Sequence, residues 1–342
     1  MFLERHLAIV LRRAAQPGGP VLLQGPSGSG KTTLLQHEFS SHLYINLADT
    51  KDRQRARHDP AAFLLRLRRP AIVDNLHRAP ELVDYLKLHP IDIPLLLASS
   101  IRLSLPVNTL ELHPPTLAER QRRNPLPLDL IGRFAPAPLA YSPVAFDWPN
   151  QSSLPEQNLR SLVPVRDWDR FLLFEEHVRA TSGQALHQQN LALQSHVSHR
   201  TVVRWLEALA NCFLTIQIEA SEQSFGRRTL RRPKLHFLAQ TNHFESNVVS
   251  ELYRNARHSA LNLKLRYWRD SNGLEIPLLI EHDWDGSSIP VLIAPAPTPN
   301  DEATLERWMK LANVKQAAVI SQTLPLFPRK NTQVLRYASG QL

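Results

Sequence analysis

The chain has 342 residues, of which 43% are hydrophobic and 21% charged, with a formal net charge of +9. That length exceeds one ordinary core and predicts two or three packed globular domains. The single cysteine, Cys212, excludes an internal disulfide and is compatible with a reducing compartment. The basic excess suits an anionic partner such as nucleic acid or a membrane surface, or is a generally basic solvated surface; only a located patch separates the two. Residues 1–14 carry Glu4, Arg5, Arg12 and Arg13 among their apolar positions, which argues against a secretory leader. No apolar run reaches membrane-spanning length, so the expectation is a soluble, cytoplasmic protein.

In chain order, Phe2, Leu3, Leu7, Val10 and Leu11 recur at helical spacing. The apolar run Val21-Leu22-Leu23 then leads into Gly25-Pro26-Ser27-Gly28-Ser29-Gly30-Lys31-Thr32, followed by the helix-forming Thr33-Leu34-Leu35-Gln36. This is the full phosphate-loop pattern in its required context of strand, glycine-rich turn and helix N-terminus. The glycines let backbone N–H groups close around an anion, and the helix N-terminus adds partial positive charge. The predicted ATP-binding set is Gly25, Pro26, Ser27, Gly28, Ser29, Gly30, Lys31, Thr32 and Thr33, with Lys31 on the β- and γ-phosphates and Thr32 on Mg²⁺.

Further apolar runs follow at His42-Leu43-Tyr44-Ile45-Asn46-Leu47, Ala71-Ile72-Val73-Asp74, Pro94-Leu95-Leu96-Leu97-Ala98-Ser99 and Thr109-Leu110-Glu111-Leu112. Short apolar runs spaced by helix-length segments predict a parallel sheet with crossover helices, an α/β class. Between 112 and 164 the composition shifts: Pro114, Pro115, Pro125, Pro127, Pro136, Pro138, Pro143, Pro149 and Pro155 interrupt regular structure. This stretch reads as a connector, with a short helix near 116–122. Helices are predicted over 167–180 and 186–195. Ser198 can cap a third helix, with Val202, Val203, Leu206 and Leu209 on one face and Arg200 and Arg204 on another. Strands at 213–218 and 234–238 flank a polar turn through Gly226. Three helices and a two-stranded ribbon describe a winged helix. A helix over 244–257 and strands at 263–268, 276–280 and 289–293 come next. The turns are Ser271-Asn272-Gly273 and Asp285-Gly286. A helix over 301–311 capped by Asn300 and a strand at 316–321 complete a compact α/β unit.

The phosphate loop, Tyr44-Ile45-Asn46-Leu47, the block from Ala71-Ile72-Val73-Asp74-Asn75 to Leu82, and Ala98-Ser99-Ser100 together resemble bacterial and archaeal AAA-type P-loop ATPases. In that family the C-terminal half is a domain of unknown function: a winged helix followed by a restriction-endonuclease-like PD-(D/E)XK fold. The blocks at 201–218, 233–238 and 244–252 are similar to that half, and only the proline-rich connector matches poorly. The resemblance implies a P-loop ATPase domain at 1–122, a connector at 123–164, a winged helix at 165–240 and a small nuclease-like domain at 241–342.

It also implies that Asp74 holds Mg²⁺ with Thr32, and that Lys31, Asp74 and Asn75 form the catalytic set. Family members carry Glu where this chain has Asn75, and a neutral amide takes no proton. Loss of a general base lowers rates by about 10²–10⁴, so the expectation is tight ATP binding with slow hydrolysis. Glu38, Glu81 and Asp84 are substitutes for that base or solvated helix residues. Ser99 and Ser100 stand where a γ-phosphate sensor sits, or simply end a buried strand. Arg102 is the nearest candidate for an arginine finger. In the nuclease-like half, Pro277, Leu292 and Ala294 occupy the positions of the metal-binding acids and the lysine, leaving Glu245 and Glu275. That predicts an inactive nuclease fold.

Arg227, Arg228, Arg231, Arg232 and Lys234 crowd the predicted wing, and Arg200 and Arg204 lie on the predicted recognition helix beside His199. A wing and helix on one face predict a duplex-DNA surface held through phosphates. The alternatives are an adaptor with structural ATP and a protein-docking C-terminal half, and an active Mg²⁺-dependent nuclease.

Overall fold

The computed structural model describes residues 2–16, 18–67, 70–89, 91, 93–120, 122, 156–162, 168–239, 241–261, 263–282, 287–322 and 332–336. Most of the proline-rich connector and the Asp285-Gly286 turn lie outside these residues. The N-terminal unit runs α1 (Leu7–Ala15), β1 (Val21–Gln24), α2 (Lys31–Glu38), β2 (Leu43–Asn46), α3 (Thr50–His58), α4 (Pro60–Leu65), β3 (Ala71–Asp74), α5 (Pro80–Leu88), β4 (Leu95–Ser99), β5 (Asn108–Glu111) and α6 (Leu117–Arg120). Its five strands are all parallel, in the order β2-β3-β4-β1-β5.

Burial follows the two-residue pleat of the strands. Leu22, Val73 and Leu97 face one core with Leu47, Phe63 and Leu82. Val21, Leu23, Ile72 and Leu96 face the other, with Leu7 and Leu11 of α1 and Leu34 and Leu35 of α2. Each such buried aliphatic side chain stabilises the fold by about 1.5–3 kcal/mol. The register Gln24↔Ser99 aligns the C-terminal ends of β1 and β4, and β3 ends beside them. The strand ends therefore converge where the phosphate loop leaves β1, as open parallel sheets require of a ligand crevice.

The middle of the chain forms α7 (Glu156–Leu162), α8 (Trp168–Ala180), α9 (Gln188–Gln194), α10 (His199–Asn211), β6 (Thr215–Ala220) and β7 (Lys234–Phe237). The predicted cap of α10 is present: the Ser198 side chain accepts from the Thr201 N–H at 3.1 Å. Val202, Trp205, Leu206 and Leu209 of α10 are buried against Phe171, Phe174 and Val178 of α8. The Trp205 ring meets Phe171 edge-on at 5.2 Å. Helix α7 falls within the proline-rich stretch, where the only expected element was the short helix near 116–122, present as α6.

The last part comprises α11 (Phe244–His258), β8 (Leu263–Arg269), β9 (Glu275–His282), β10 (Ser288–Ile293), α12 (Pro299–Ala312), β11 (Ala317–Ser321) and β12 (Thr332–Arg336). The cap of α12 is Thr298, not Asn300, with Pro299 at the first helical position. The Thr298 side chain and Asp301 form a reciprocal capping box, which satisfies two orphan donors where Asn300 would satisfy one. Strand β6 belongs to two pairings. It is antiparallel to β7 and, through Glu219 and Ala220, parallel to β8. The result is one seven-stranded sheet, β12-β11-β10-β9-β8-β6-β7. Among the described residues no helix is long and apolar enough to cross a membrane.

Candidate functional site

The loop between β1 and α2 needs its glycines for two separate reasons. A Cβ on Gly25 would stand 1.9 Å from the Leu112 carbonyl oxygen, so any side chain there collides with backbone. Gly30 caps α2 with φ +92, a conformation that other residues adopt only under strain. Lys31 folds back over the loop, and its ammonium donates to the carbonyls of Gly25 and Pro26, both at 2.8 Å. It is 5% exposed. Burial lowers its pKa to about 8, with Asp74 opposing, so the ammonium stays charged at neutral pH. The loop thus presents a desolvated cation at a helix N-terminus, an arrangement suited to an anion.

Thr32 and Asp74, 42 residues apart, meet at the mouth of this loop. The Thr32 hydroxyl donates to Asp74 Oδ2 at 2.6 Å, and Tyr44 donates to the same oxygen at 2.9 Å. Asp74 Oδ1 accepts the Asn75 backbone N–H at 2.7 Å. A hydroxyl and a carboxylate beside a phosphate-binding loop are the hard oxygen donors Mg²⁺ takes. Among the described residues no group of three or more His, Cys, Asp or Glu could hold a metal alone. Phosphate oxygens and water would complete the shell, as is usual for Mg²⁺.

Asn75 has a conformational role that sequence alone does not reveal. Its backbone is left-handed, φ 58 and ψ 38, a region asparagine tolerates better than glutamate. Its amide donates to Asn46 Oδ1 at 2.9 Å. His77 follows, and its Nδ1 accepts from the Ser100 N–H at 3.3 Å. Burial, then the charges of Arg78 and Lys31, push its pKa down to about 4, so the imidazole is neutral.

The remaining candidates in this half are engaged elsewhere. Ser99 is fully buried and its hydroxyl donates to the Ile101 carbonyl at 2.6 Å, ending its own strand. Arg102 pairs with Glu111 at 2.8 Å and lies over the Phe213 ring. Glu38 pairs with Arg12, Glu81 takes a two-pronged contact from Arg57, and Asp84 pairs with Lys87. Three residues that sequence patterns passed over do reach the site: Tyr44, Asn46 and His77. A fourth is Arg5, whose guanidinium donates to the Ser29 carbonyl at 2.8 Å. Tyr44 and Asn46 lie in the Tyr44–Leu47 block and His77 in the 71–82 block, but no pattern gave any of the four a role in the site.

Residues 150–239, which take in α7 to α10 and the β6–β7 pair, match a family described as a domain of unknown function, DUF8612. No curated protein matches this chain. Among solved structures it is similar to a Signal Transduction ATPase with Numerous Domains (STAND) protein with a tetratricopeptide repeat sensor from Pyrococcus horikoshii. The identity is 14% and the TM-score 0.25, over 63% of this chain and 39% of that one. The chain thus spans about two fifths of that protein's length.

The basic residues of the second half separate into two groups. Arg200, Arg204, Arg228, Arg231 and Arg232 are exposed. Arg232 also donates to His187 at 2.7 Å. Arg227 is paired instead with the fully buried Asp270 carboxylate at 2.6 Å. The Leu230 N–H bonds the Arg269 carbonyl, so the loop between β6 and β7 is pinned to the end of β8. Lys234 is buried. Its ammonium stands between Glu245 at 2.8 Å and Glu275 at 2.5 Å, and 5.3 Å from the Tyr267 ring centroid. Burial alone lowers its pKa, but Glu245 and Glu275 outweigh that, and the net direction is up. The two acids left over from the nuclease-like pattern are thus bound to an internal cation.

Proposed function

We propose that this chain is an ATP-binding, AAA-type P-loop protein that hydrolyses ATP slowly and couples nucleotide state to duplex-DNA binding through a winged-helix surface. The observation that carries the nucleotide half is the meeting of Thr32 and Asp74 at 2.6 Å beside a buried Lys31. Loop amides and Lys31 would hold the β- and γ-phosphates, and Thr32 and Asp74 would hold Mg²⁺. When bound, Mg²⁺ supplies charge neutralisation to the phosphates. Thr32, Tyr44 and the Asn75 N–H all donate to the Asp74 carboxylate and hold it in place beside the loop. Asn75 can orient a water but cannot deprotonate it, which makes turnover slow. Lys31→Ala should abolish ATP binding in calorimetry; full retained affinity would remove the assignment.

The DNA half rests on Arg200 and Arg204 on α10 together with Arg228, Arg231 and Arg232 beyond β6, all exposed. Arg227 lies in the same loop but is tied to Asp270 and leaves no free charge to that surface. The nuclease-like half would serve as scaffold, with Lys234 holding Glu245 and Glu275. Charge reversal at Arg200 and Arg204 should eliminate duplex binding in gel shifts at low salt, and wild-type affinity should fall steeply with salt. The neutralised Arg227 and buried Lys234 favour a second reading, a protein-docking adaptor with structural ATP. Absence of duplex binding even at low salt selects it.

A further inference from the structure

Behind the phosphate loop lies a buried polar chain that joins it to α11. Ser29 sits between Gly28 and Gly30, both at positive φ. Arg5 Nη1 donates to that carbonyl at 2.8 Å, while Nη2 donates to the His113 carbonyl at 2.5 Å. The guanidinium also pairs with Glu119 at 3.2 Å. Glu119 accepts from the backbone N–H groups of His6 at 2.8 Å and Thr116 at 2.9 Å.

Helix α11 closes the chain from the far side. The His113 N–H donates to His258 Nε2 at 2.9 Å. The proton of a neutral His258 is therefore on Nδ1, which lies 3.2 Å from the Glu119 carboxylate. Two turns earlier on α11, Glu251 accepts the Leu117 N–H at 2.7 Å. Arg5, His113, Thr116, Glu119, Glu251 and His258 are each no more than 7% exposed. The 112–119 segment is thus gripped by α11 on one side. On the other it touches the loop at both ends, through Leu112 against Gly25 and through Arg5 on Ser29.

We infer that Arg5 is a positioning residue that couples the phosphate loop to α11, so that polyphosphate binding and the seating of α11 reinforce each other. The inference rests on the nucleotide-binding proposal and adds the route by which the bound state reaches the second half. Arg5 holds the Ser29 peptide through its carbonyl. The same guanidinium is held in place by Glu119 and His113, which His258 fixes. Linkage makes this reciprocal: the factor by which bound polyphosphate favours the seated α11 is the factor by which the seated α11 favours polyphosphate.

The test uses the full chain, ATP with Mg²⁺, backbone hydrogen exchange over 251–258, and titration with a fluorescent ATP analogue. Helix α12, which packs on β9 and β10, is the internal reference for general ligand stabilisation. In the wild type, ATP should slow exchange in α11 about fivefold or more beyond its effect on α12, the low end of ordinary coupling. Arg5→Lys keeps the charge but loses the planar fork. It should bind the analogue about fivefold more weakly and lose the selective slowing of α11, in line with that coupling. His258→Gln lies beyond the phosphate site and should weaken the analogue to a similar extent, which loss of local loop packing would not produce. If Arg5→Lys does not fold, His258→Gln carries the test. Wild-type analogue affinity in His258→Gln, or ATP slowing α11 no more than α12 in the wild type, overturns the inference while leaving nucleotide binding intact. A wild type that binds no nucleotide overturns both.

Discussion

Lys234→Met removes the ammonium that Glu245 and Glu275 share and leaves a side chain of similar length. The lysine side chain is 5% exposed, and the two carboxylates are 27% and 28% exposed. Deleting one partner of a fully buried ion pair costs about 3–5 kcal/mol, because the other charge is left uncompensated. Water reaches both acids here, so the low end applies, about 3 kcal/mol. Burial already holds Glu245 above its ordinary pKa, with Lys234 opposing and Glu275 adding, and loss of the lysine raises it further. The sign follows from which state binds the proton. A carboxylate whose folded pKa is raised destabilises the fold above that pKa, and the penalty fades as pH falls through it. The variant's deficit in urea unfolding should therefore be largest at pH 7 and shrink under mildly acidic conditions. Tryptophan fluorescence reports on this sheet, since Trp268 of β8 and Trp308 of α12 are fully buried in one core against it. Adding Glu245→Gln and Glu275→Gln to Lys234→Met should recover most of the loss. A variant within about 1 kcal/mol of wild type at pH 7, with an unchanged pH profile, would refute the charge-balancing role, since truncating a buried pair costs more than that.

Three more substitutions test other parts of the structure. His236 is fully buried with neither ring nitrogen hydrogen-bonded, and burial followed by the charge of Lys234 pushes its pKa down to about 3. Its neutral form is compatible with the fold at pH 7, and stability is lost as pH falls from the unfolded value toward the folded one. His236→Leu should therefore stabilise the chain by ~1 kcal/mol at pH 7, as relief of an unsatisfied buried group allows, and by more at pH 5; an equal gain at both would rule out the titration argument. Gly25→Ala places a methyl against the Leu112 carbonyl and should destabilise by about 3 kcal/mol, the upper range for overpacking, with nucleotide affinity lost alongside; an unchanged thermal midpoint would contradict the geometry. Asn75→Glu should raise phosphate release while costing about 1 kcal/mol for its left-handed backbone. A wild-type rate that is already brisk and does not respond removes the argument from the missing base.

The elements that periodicity identified are those whose partners lie within the element or next to it. Every strand of the first sheet except the exact start of β5 was legible as an apolar run. The phosphate loop was legible because strand, glycines, Lys31 and Thr32 are contiguous. The cap of α10 at Ser198 was legible for the same reason, since a cap acts over three residues. The cap of α12 was misplaced by two residues because Asn300 and Thr298 are both competent cap residues, and only the Thr298–Asp301 pairing chooses between them. Asn75 was read as a lost base, yet its backbone conformation and its contact with Asn46 supply a local reason for asparagine.

Local chemistry in the sequence thus marked a glycine-rich turn between strand and helix on a parallel sheet, further helices and strands after it, and a basic excess. Tertiary structure alone decided what each charge does. Arg227, Lys234 and Arg200 have similar side chains, but one meets Asp270, one meets two glutamates and one meets solvent. It also decided that β6 serves two pairings and that Arg5 reaches Ser29, Glu119 and, through it, His258. The physical reason is that a charge is read by its surroundings, through desolvation and the distance to its partners. Those surroundings are assembled from residues apart in the chain, 43 positions for Arg227 and Asp270 and 139 for Glu119 and His258.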